Sequence, residues 1–159
     1  MAYIIFDLDG TVICSKHRQA TLADGSLDLD HWFENNKPEK IMRDSLLPLA
    51  STMRKMHSLG HHIIVCTARS AQPADFEFCE ANNLPYHAFL HREAGNMEGD
   101  ASLKIRLLSS YFADFGLTIV EAKAIMFDDN YKVIDALMGQ GVRMYDATLV
   151  NENLSKLAA

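Results

Sequence analysis

The chain has 159 residues, and its 48% hydrophobic content, 23% charged content, 8 Gly and 4 Pro exclude disordered, collagen-like and low-complexity proteins. Its 15 Lys and Arg residues against 21 Asp and Glu residues give a formal net charge of −6, which argues against broad coating of a nucleic-acid backbone. At this length we expect a single domain spanning residues 1–159.

Compartment and membrane contact are predicted from what the sequence lacks. No apolar stretch approaches the roughly 20 residues of a membrane-spanning helix, and the first residues do not have the pattern of a signal peptide. Three cysteines, Cys14, Cys66 and Cys79, are widely spaced and form no CxxC pair, so they are interpreted as reduced thiols. We therefore expect a cytoplasmic protein with no membrane contact.

Short apolar runs alternate with segments of helical period along the chain. Strands are predicted at residues 3–6, 63–66, 124–127 and 142–145, with a shorter candidate at 87–90. Helices are predicted at residues 40–59, 74–82, 101–115 and 132–138. Because the runs at 3–6, 63–66 and 124–127 are continuous, these three strands are expected to be buried on both faces. The sequence thus predicts an α/β fold with a central parallel sheet and helices on both faces.

Two stretches without a clear period interrupt this order, at about residues 15–38 and 91–100. Both are too short to form a lid domain, so the predicted cap is minimal or absent. An apolar face left by a missing cap could be covered by a second copy of the chain, so a homo-oligomer is an alternative to a monomer.

The strongest local motif is at residues 6–12, where an apolar strand ends in Asp7 and Asp9, followed by Gly10 and Thr11. Ligands of open parallel sheets bind beyond the carboxyl ends of the strands, so both carboxylates are expected in a crevice. Two close anions favour a bound cation, and Mg²⁺ is the one that prefers hard oxygen ligands. A turn in which Asp and Gly simply end a strand is the alternative.

A second pair of acids, Asp128 and Asp129, follows the predicted strand at 124–127. Four carboxylates at one sheet edge would be costly without a divalent ion, and that ion would let a phosphate dianion approach. The pair can also cap the next helix, and the two roles are compatible.

Phosphate-binding groups are predicted at two further places. Thr67, Ala68 and Arg69 follow the strand at 63–66 and offer a hydroxyl, backbone N–H groups and a guanidinium. Lys104, near the start of the predicted helix at 101–115, could point its ammonium into the crevice. A cap after the strand and an exposed helical lysine are the alternatives for these two features.

The order Asp-x-Asp, Thr, Lys, Asp-Asp resembles that of haloacid dehalogenase superfamily phosphatases, which implies a Rossmann-like fold and Mg²⁺. The resemblance implies that Asp7 is the nucleophile forming an aspartyl-phosphate. Asp9 would be the general acid and then the base, while Thr67 and Lys104 would hold the transferring phosphoryl group. A carboxylate attacks a dianion only when cations discharge it, so the physical argument agrees with this assignment.

The metal ligands implied by the resemblance are the Asp7 carboxylate, the Asp9 backbone carbonyl and the late acidic pair. Within that pair we favour Asp129 as the direct ligand and Asp128 as its orienting neighbour.

Residues 66–70, Arg92 and Lys104 also look like the phosphatase domain of phage-type polynucleotide kinase-phosphatases. The chain has no GxxxxGK[ST] motif, so we expect a phosphatase without a kinase half. Candidate substrate-binding residues are Arg69, Thr11, Ala68, Arg18 and Trp32. Trp32 could stack on a base or merely anchor its loop to the core.

The resulting hypothesis is a Mg²⁺-dependent phosphomonoesterase acting on nucleotides or polynucleotide 3′-phosphate ends. A nucleotidase or metabolite phosphatase of the same superfamily is the main alternative, and the sequence does not separate the two. A receiver-like domain that accepts a phosphoryl group would have its acidic pair first and a lone Asp in mid-chain. A non-catalytic binding module would be expected to lack at least one motif residue, and none of them is missing: Asp7, Asp9, Thr67, Lys104 and Asp129.

Overall fold

A computed structural model describes residues 1–159. The strands are β1 (Tyr3–Phe6), β2 (Ile13–Cys14), β3 (Ser45–Leu46), β4 (His62–Cys66), β5 (Ala88–Leu90), β6 (Ile125–Asp128) and β7 (Arg143–Asp146). The helices are α1 (Leu29–Asn35), α2 (Pro38–Ile41), α3 (Leu49–Ser58), α4 (Pro73–Ala81), α5 (Asp100–Ala113), α6 (Tyr131–Gly139) and α7 (Ala147–Ala158). None of these helices is both long and apolar enough to cross a membrane.

Five strands form one parallel sheet in the order β5-β4-β1-β6-β7. The chain starts in the central strand β1, builds outwards through β4 and β5, and then crosses to the other side for β6 and β7. The direction of winding therefore changes at β1. In sheets of this kind the change leaves a crevice at the carboxyl ends of the central strands.

Each face of the sheet buries its own apolar core because side chains alternate along a strand. Ile4 and Phe6 of β1 face a core closed by α3, α4 and the start of α7. Ile5, on the opposite face, packs into a core that includes Leu108 and Phe112 of α5 and residues of α6. The sheet is thus covered on both faces, which confirms the predicted α/β architecture.

Two helical predictions differ from the structure. The helix predicted at 40–59 begins only at Leu49, because Pro48 occupies its N-cap and the chain before it forms the short strand β3. The interval predicted to be irregular after the first strand contains α1, whose first turn is capped by Asp28 accepting a hydrogen bond from the His31 backbone at 3.0 Å.

Helix α7 was not predicted at all. Its buried side consists of Ala147, Val150, Asn151 and Leu154, which follow helical spacing. The polar Asn151 interrupts what would otherwise be an apolar stripe, so the sequence pattern did not indicate a buried helix.

The two predicted insertions are short in the structure and form no separate domain. The first contains α1 and leads into β3, which pairs with β2 as a small antiparallel ribbon. The second is irregular between β5 and α5. The prediction of a minimal cap is confirmed.

Candidate active site

The predicted motif residues meet at the carboxyl edge of the sheet, around β1. Asp7 directly follows β1, Thr67 directly follows β4, and Asp128 is the last residue of β6. Because β1 lies between β4 and β6, three segments far apart in the sequence converge there. The Asp7 backbone N–H donates to the Phe127 carbonyl at 3.0 Å, which ties the first and last acidic motifs together.

Lys104 joins the two buried acids. Its Nζ lies 2.7 Å from Asp7 Oδ1 and 2.6 Å from Asp128 Oδ2, and the lysine is only 2% exposed. Helix α5 therefore places the Lys104 ammonium in the crevice. Lys104 is not an exposed helical lysine, which was the alternative. Burial alone lowers the pKa of Lys104, but Asp7 and Asp128 more than reverse this and keep it above its usual value.

One ammonium does not satisfy all the acids at this edge. Burial raises the pKa of the Asp7 carboxyl; the Lys104 ammonium opposes the rise, and Asp128 and Asp129 add to it. Desolvation and the neighbouring Asp128 also raise the pKa of Asp129 to about 6. Both shifts have the sign expected where carboxylates crowd together without enough positive charge.

Three carboxylates are placed to share a cation. Oxygens of Asp7, Asp128 and Asp129 lie within 4.8 Å of one another. Asp128 is fully buried, with one oxygen on Lys104 and the other accepting the Asn130 N–H at 2.9 Å, whereas Asp129 is exposed. An all-oxygen donor set of this kind fits a hard divalent ion such as Mg²⁺.

Gly10 allows Asp129 to approach the first motif. The glycine has a φ of +76°, and a Cβ built on it would overlap the carboxylate of Asp129. A side chain at position 10 would therefore displace this acid, in addition to the backbone strain of a left-handed conformation.

The turns after β1 and β4 present unpaired backbone donors. The N–H groups of Leu8, Asp9 and Ala68 donate to no acceptor within the protein. Thr67 is buried, and its Oγ1 accepts the Arg69 backbone N–H at 3.2 Å. Arg92 Nε donates to the Ala68 carbonyl at 2.7 Å, which fixes the turn that presents the unpaired Ala68 N–H.

Arg69 binds the second acid of the first motif. Its Nε donates to Asp9 Oδ2 at 2.9 Å, and its Nη2 donates to the other carboxylate oxygen of Asp9. Burial by itself would raise the pKa of Asp9, but the Arg69 guanidinium overrides that effect and lowers it. Ser15 adds a hydrogen bond to Asp9 at 2.6 Å. Arg69 and Ser15 thus favour the carboxylate form of Asp9 and engage both of its oxygens.

A second arginine, Arg18, lies over the same tryptophan ring as Arg69. Arg18 donates to Asp44 through Nε at 2.9 Å and through Nη2 at 2.7 Å, and its Nη1 donates to Asn36 at 2.9 Å. Its guanidinium carbon stacks 4.6 Å from the centre of the Trp32 ring, and that of Arg69 lies 5.7 Å from the same ring.

This geometry places three of the five predicted substrate-binding residues away from the open crevice. Arg18 is fully buried, and its three guanidinium nitrogens are already engaged, so it does not face the cleft as a substrate-binding residue. Trp32 is 8% exposed and packed against the two arginines, which favours the anchoring interpretation over stacking on a base. Thr11 is also buried, and its hydroxyl lies 3.5 Å from Asp7 Oδ2 rather than in the open crevice.

Sequence reasoning missed the acids that hold the arginines. Asp75 is buried at the start of α4, where it binds Arg69 Nη1 and also closes a capping box with Gln72. Asp44 is buried on Arg18. The Gln-Pro-Ala-Asp segment was a usable signal for the helix start, but neither residue carries a local signal for its arginine partner.

Comparison with known proteins assigns the chain to a family. A family model described as Bacteriophage T5 5'-deoxynucleotidase matches residues 1–158. The chain belongs to this family. The 5'-deoxynucleotidase of Escherichia phage T5 is 34% identical over 171 aligned residues, which cover 96% of this chain and 69% of the phage protein.

Solved structures with the same fold are phosphatases and hydrolases. A chain of the Pnkp1/Rnl/Hen1 complex has a TM-score of 0.67 at 18% identity, covering 92% of this chain and 45% of that chain. A haloacid dehalogenase-like family hydrolase from Streptococcus pneumoniae has a TM-score of 0.67 at 12% identity, with 99% and 97% covered. The D,D-heptose 1.7-bisphosphate phosphatase of B. bronchiseptica, complexed with magnesium and phosphate, has a TM-score of 0.56 at 13% identity, with 99% of each chain covered. The chain thus shares the fold of a haloacid dehalogenase-like hydrolase, which agrees with the fold expected from its motifs.

The contact between Gly10 and Asp129 predicts a large effect of Gly10→Ala. We expect kcat with p-nitrophenyl phosphate to fall about tenfold or more, because the added methyl displaces an acid of the cluster. The control is Gly60→Ala, where φ is +81° but no atom lies within 4 Å of the added Cβ. Gly60→Ala should lose stability, by about 1–2 kcal/mol in urea unfolding, and keep its kcat. Equal kcat values for the two variants would contradict the assigned contact.

Proposed function

We propose that this enzyme is a Mg²⁺-dependent phosphatase that removes the 5'-phosphate of deoxynucleoside monophosphates through an aspartyl-phosphate on Asp7. The observation that carries the chemistry is the Asp7, Asp128 and Asp129 cluster joined by Lys104. The substrate class is supported by family membership and by the name of the phage T5 relative.

Asp7 is the group best placed to attack phosphorus. It is held between the β1 end and Lys104, and its second oxygen faces the Thr11 hydroxyl. In the first step an Asp7 oxygen bonds to phosphorus while the bond from phosphorus to the nucleoside oxygen breaks. Lys104 and the backbone N–H groups of Leu8, Asp9 and Ala68 offset the charge of the phosphoryl oxygens.

Mg²⁺ fits the carboxylate cluster and would be held by Asp7, Asp129 and the Asp9 backbone carbonyl, with Asp128 orienting them. When bound, the ion neutralises charge between the attacking carboxylate and the phosphate dianion.

Asp9 supplies and then recovers a proton. Its carboxyl protonates the departing nucleoside oxygen, and as a carboxylate it then takes a proton from the water that attacks the aspartyl-phosphate. Because Arg69 favours the carboxylate form, proton donation requires the Arg69–Asp9 pair to loosen. A substrate phosphate is an anion that competes with Asp9 for this guanidinium, which gives Arg69 its role in substrate binding.

A polynucleotide 3′-phosphate end is the second candidate substrate. The fold similarity to a chain of the Pnkp1/Rnl/Hen1 complex favours it, as do the Arg69 position and the minimal cap. Against it stand the formal charge of −6, which disfavours long polyanions, and the burial of Arg18 and Trp32.

The nucleophile assignment predicts that Asp7→Asn lowers kcat by about a thousandfold or more, since the amide cannot form the phospho-enzyme. Release of phosphate from p-nitrophenyl phosphate measures this. Asp135→Asn, an exposed position on α6, is the matched control and should retain wild-type activity. Turnover by Asp7→Asn at the rate of the control would exclude Asp7 as the nucleophile.

The metal assignment predicts that EDTA abolishes activity and that Mg²⁺ restores it. Asp129→Asn should raise the Mg²⁺ concentration for half-maximal activity by about tenfold or more, because the amide carries no charge. Binding of Mn²⁺, followed by electron paramagnetic resonance, should weaken in parallel. A wild-type Mn²⁺ affinity in Asp129→Asn would remove this residue from the ligand set.

The substrate assignment predicts that kcat/KM for deoxynucleoside 5'-monophosphates exceeds that for a 3′-phosphorylated oligonucleotide by about tenfold or more. Phosphate release at equal substrate concentrations measures both. A deoxynucleoside 3'-monophosphate separates the position of the phosphate from the length of the polymer. A reversed preference would favour the polynucleotide-end candidate.

A further inference from the structure

A buried amide on the C-terminal helix reaches the first catalytic motif. Asn151 lies on α7 and is 8% exposed. Its Nδ2 donates to the Thr11 carbonyl at 2.9 Å, and its Oδ1 accepts the Leu49 backbone N–H at 2.8 Å. One side chain thus connects α7 to the start of α3 and to the turn after β1.

Neither backbone group has another partner. Leu49 is the first residue of α3, where N–H groups have no acceptor within the helix. The Thr11 carbonyl accepts no hydrogen bond from any other backbone N–H. Both residues are fully buried, so loss of the amide would leave two polar groups without water or protein partners.

The turn that Asn151 holds is a compact unit. The N–H groups of Thr11, Val12 and Ile13 all donate to the Leu8 carbonyl, at 3.1, 3.1 and 3.0 Å. Because one carbonyl collects all three donors, movement at Thr11 is transmitted to the residues on either side. Asp7 precedes this unit directly, and the Thr11 hydroxyl lies 3.5 Å from Asp7 Oδ2.

We propose that Asn151 is a positioning residue of the phosphatase, whose carboxamide fixes the Thr11 turn and thereby the attacking oxygen of Asp7. This inference rests on the proposed role of Asp7 as nucleophile. Only a side chain with both a donor and an acceptor can serve the Thr11 carbonyl and the Leu49 N–H together, and an amide provides both.

Two substitutions separate the role in positioning from the role in folding. Asn151→Asp keeps an acceptor for the Leu49 N–H, but it replaces the donor to Thr11 with a carboxylate oxygen and adds a negative charge. Asn151→Leu keeps a similar size and loses both groups. Asn153 is exposed two residues further along the same helix, so Asn153→Asp and Asn153→Leu are matched controls.

The measurements are kcat and KM with p-nitrophenyl phosphate and with a deoxynucleoside 5'-monophosphate, per folded molecule counted by circular dichroism and urea unfolding. We expect both Asn151 variants to lose about 10- to 100-fold in kcat, because misplacement of a reacting group by about 1 Å has that effect. KM should change by less than about threefold, since the groups that bind phosphate remain. The Asn153 variants should match the wild type.

A kcat of Asn151→Asp within about twofold of wild type would overturn the proposal. So would equal losses in the Asn153 variants. Failure of both Asn151 variants to fold would make Asn151 a folding residue and would overturn it too. Absence of phosphatase activity in the wild type would instead refute the proposed function, and an active wild type with unchanged variants would refute only the role of Asn151.

Discussion

Charge balance at the carboxyl end of β1 is the constraint on which the rest of the site depends. Three carboxylates gather there against one buried ammonium, which leaves two negative charges uncompensated. Such a cluster is unfavourable in a desolvated crevice unless a divalent cation joins it. The raised pKa of both Asp7 and Asp129 expresses the same imbalance. The carboxyl end of β1 therefore favours the binding of a cation at the place where a phosphate substrate would react.

The first insertion contributes to the site through contacts near Arg69 rather than by covering the crevice. The guanidinium groups of Arg18 and Arg69 both lie over the Trp32 ring, and Asp44 pairs with Arg18. Asp75 holds Arg69 from the start of α4. A guanidinium held on several sides has few conformations open to it, so its position relative to Asp9 is defined before any ligand arrives. Arg18 and Trp32, which the sequence suggested as substrate contacts, therefore act by holding Arg69 in position.

What the sequence could reveal depended on whether the signal was local. The strand ends at Asp7, Thr67 and Asp128 were predictable because a continuous apolar run followed by polar residues marks the edge of a buried strand. The partners of Arg18 and Arg69 were not, since Asp44 and Asp75 are separated from them in sequence and meet them only through packing. Asn151 shows the same limit. As a polar residue on the buried side of α7 it interrupts the apolar stripe that would have predicted the helix, and the sequence around it does not indicate its contact with Thr11.

The shortness of the two insertions has a consequence for turnover. Within this chain no domain lies over the crevice, and Asp129 is open to solvent. Enzymes that enclose their reactants often wait for a gate to open before product leaves. Here the two short insertions place no such gate over the crevice, so selection among phosphate esters has to come from contacts with the groups that line it.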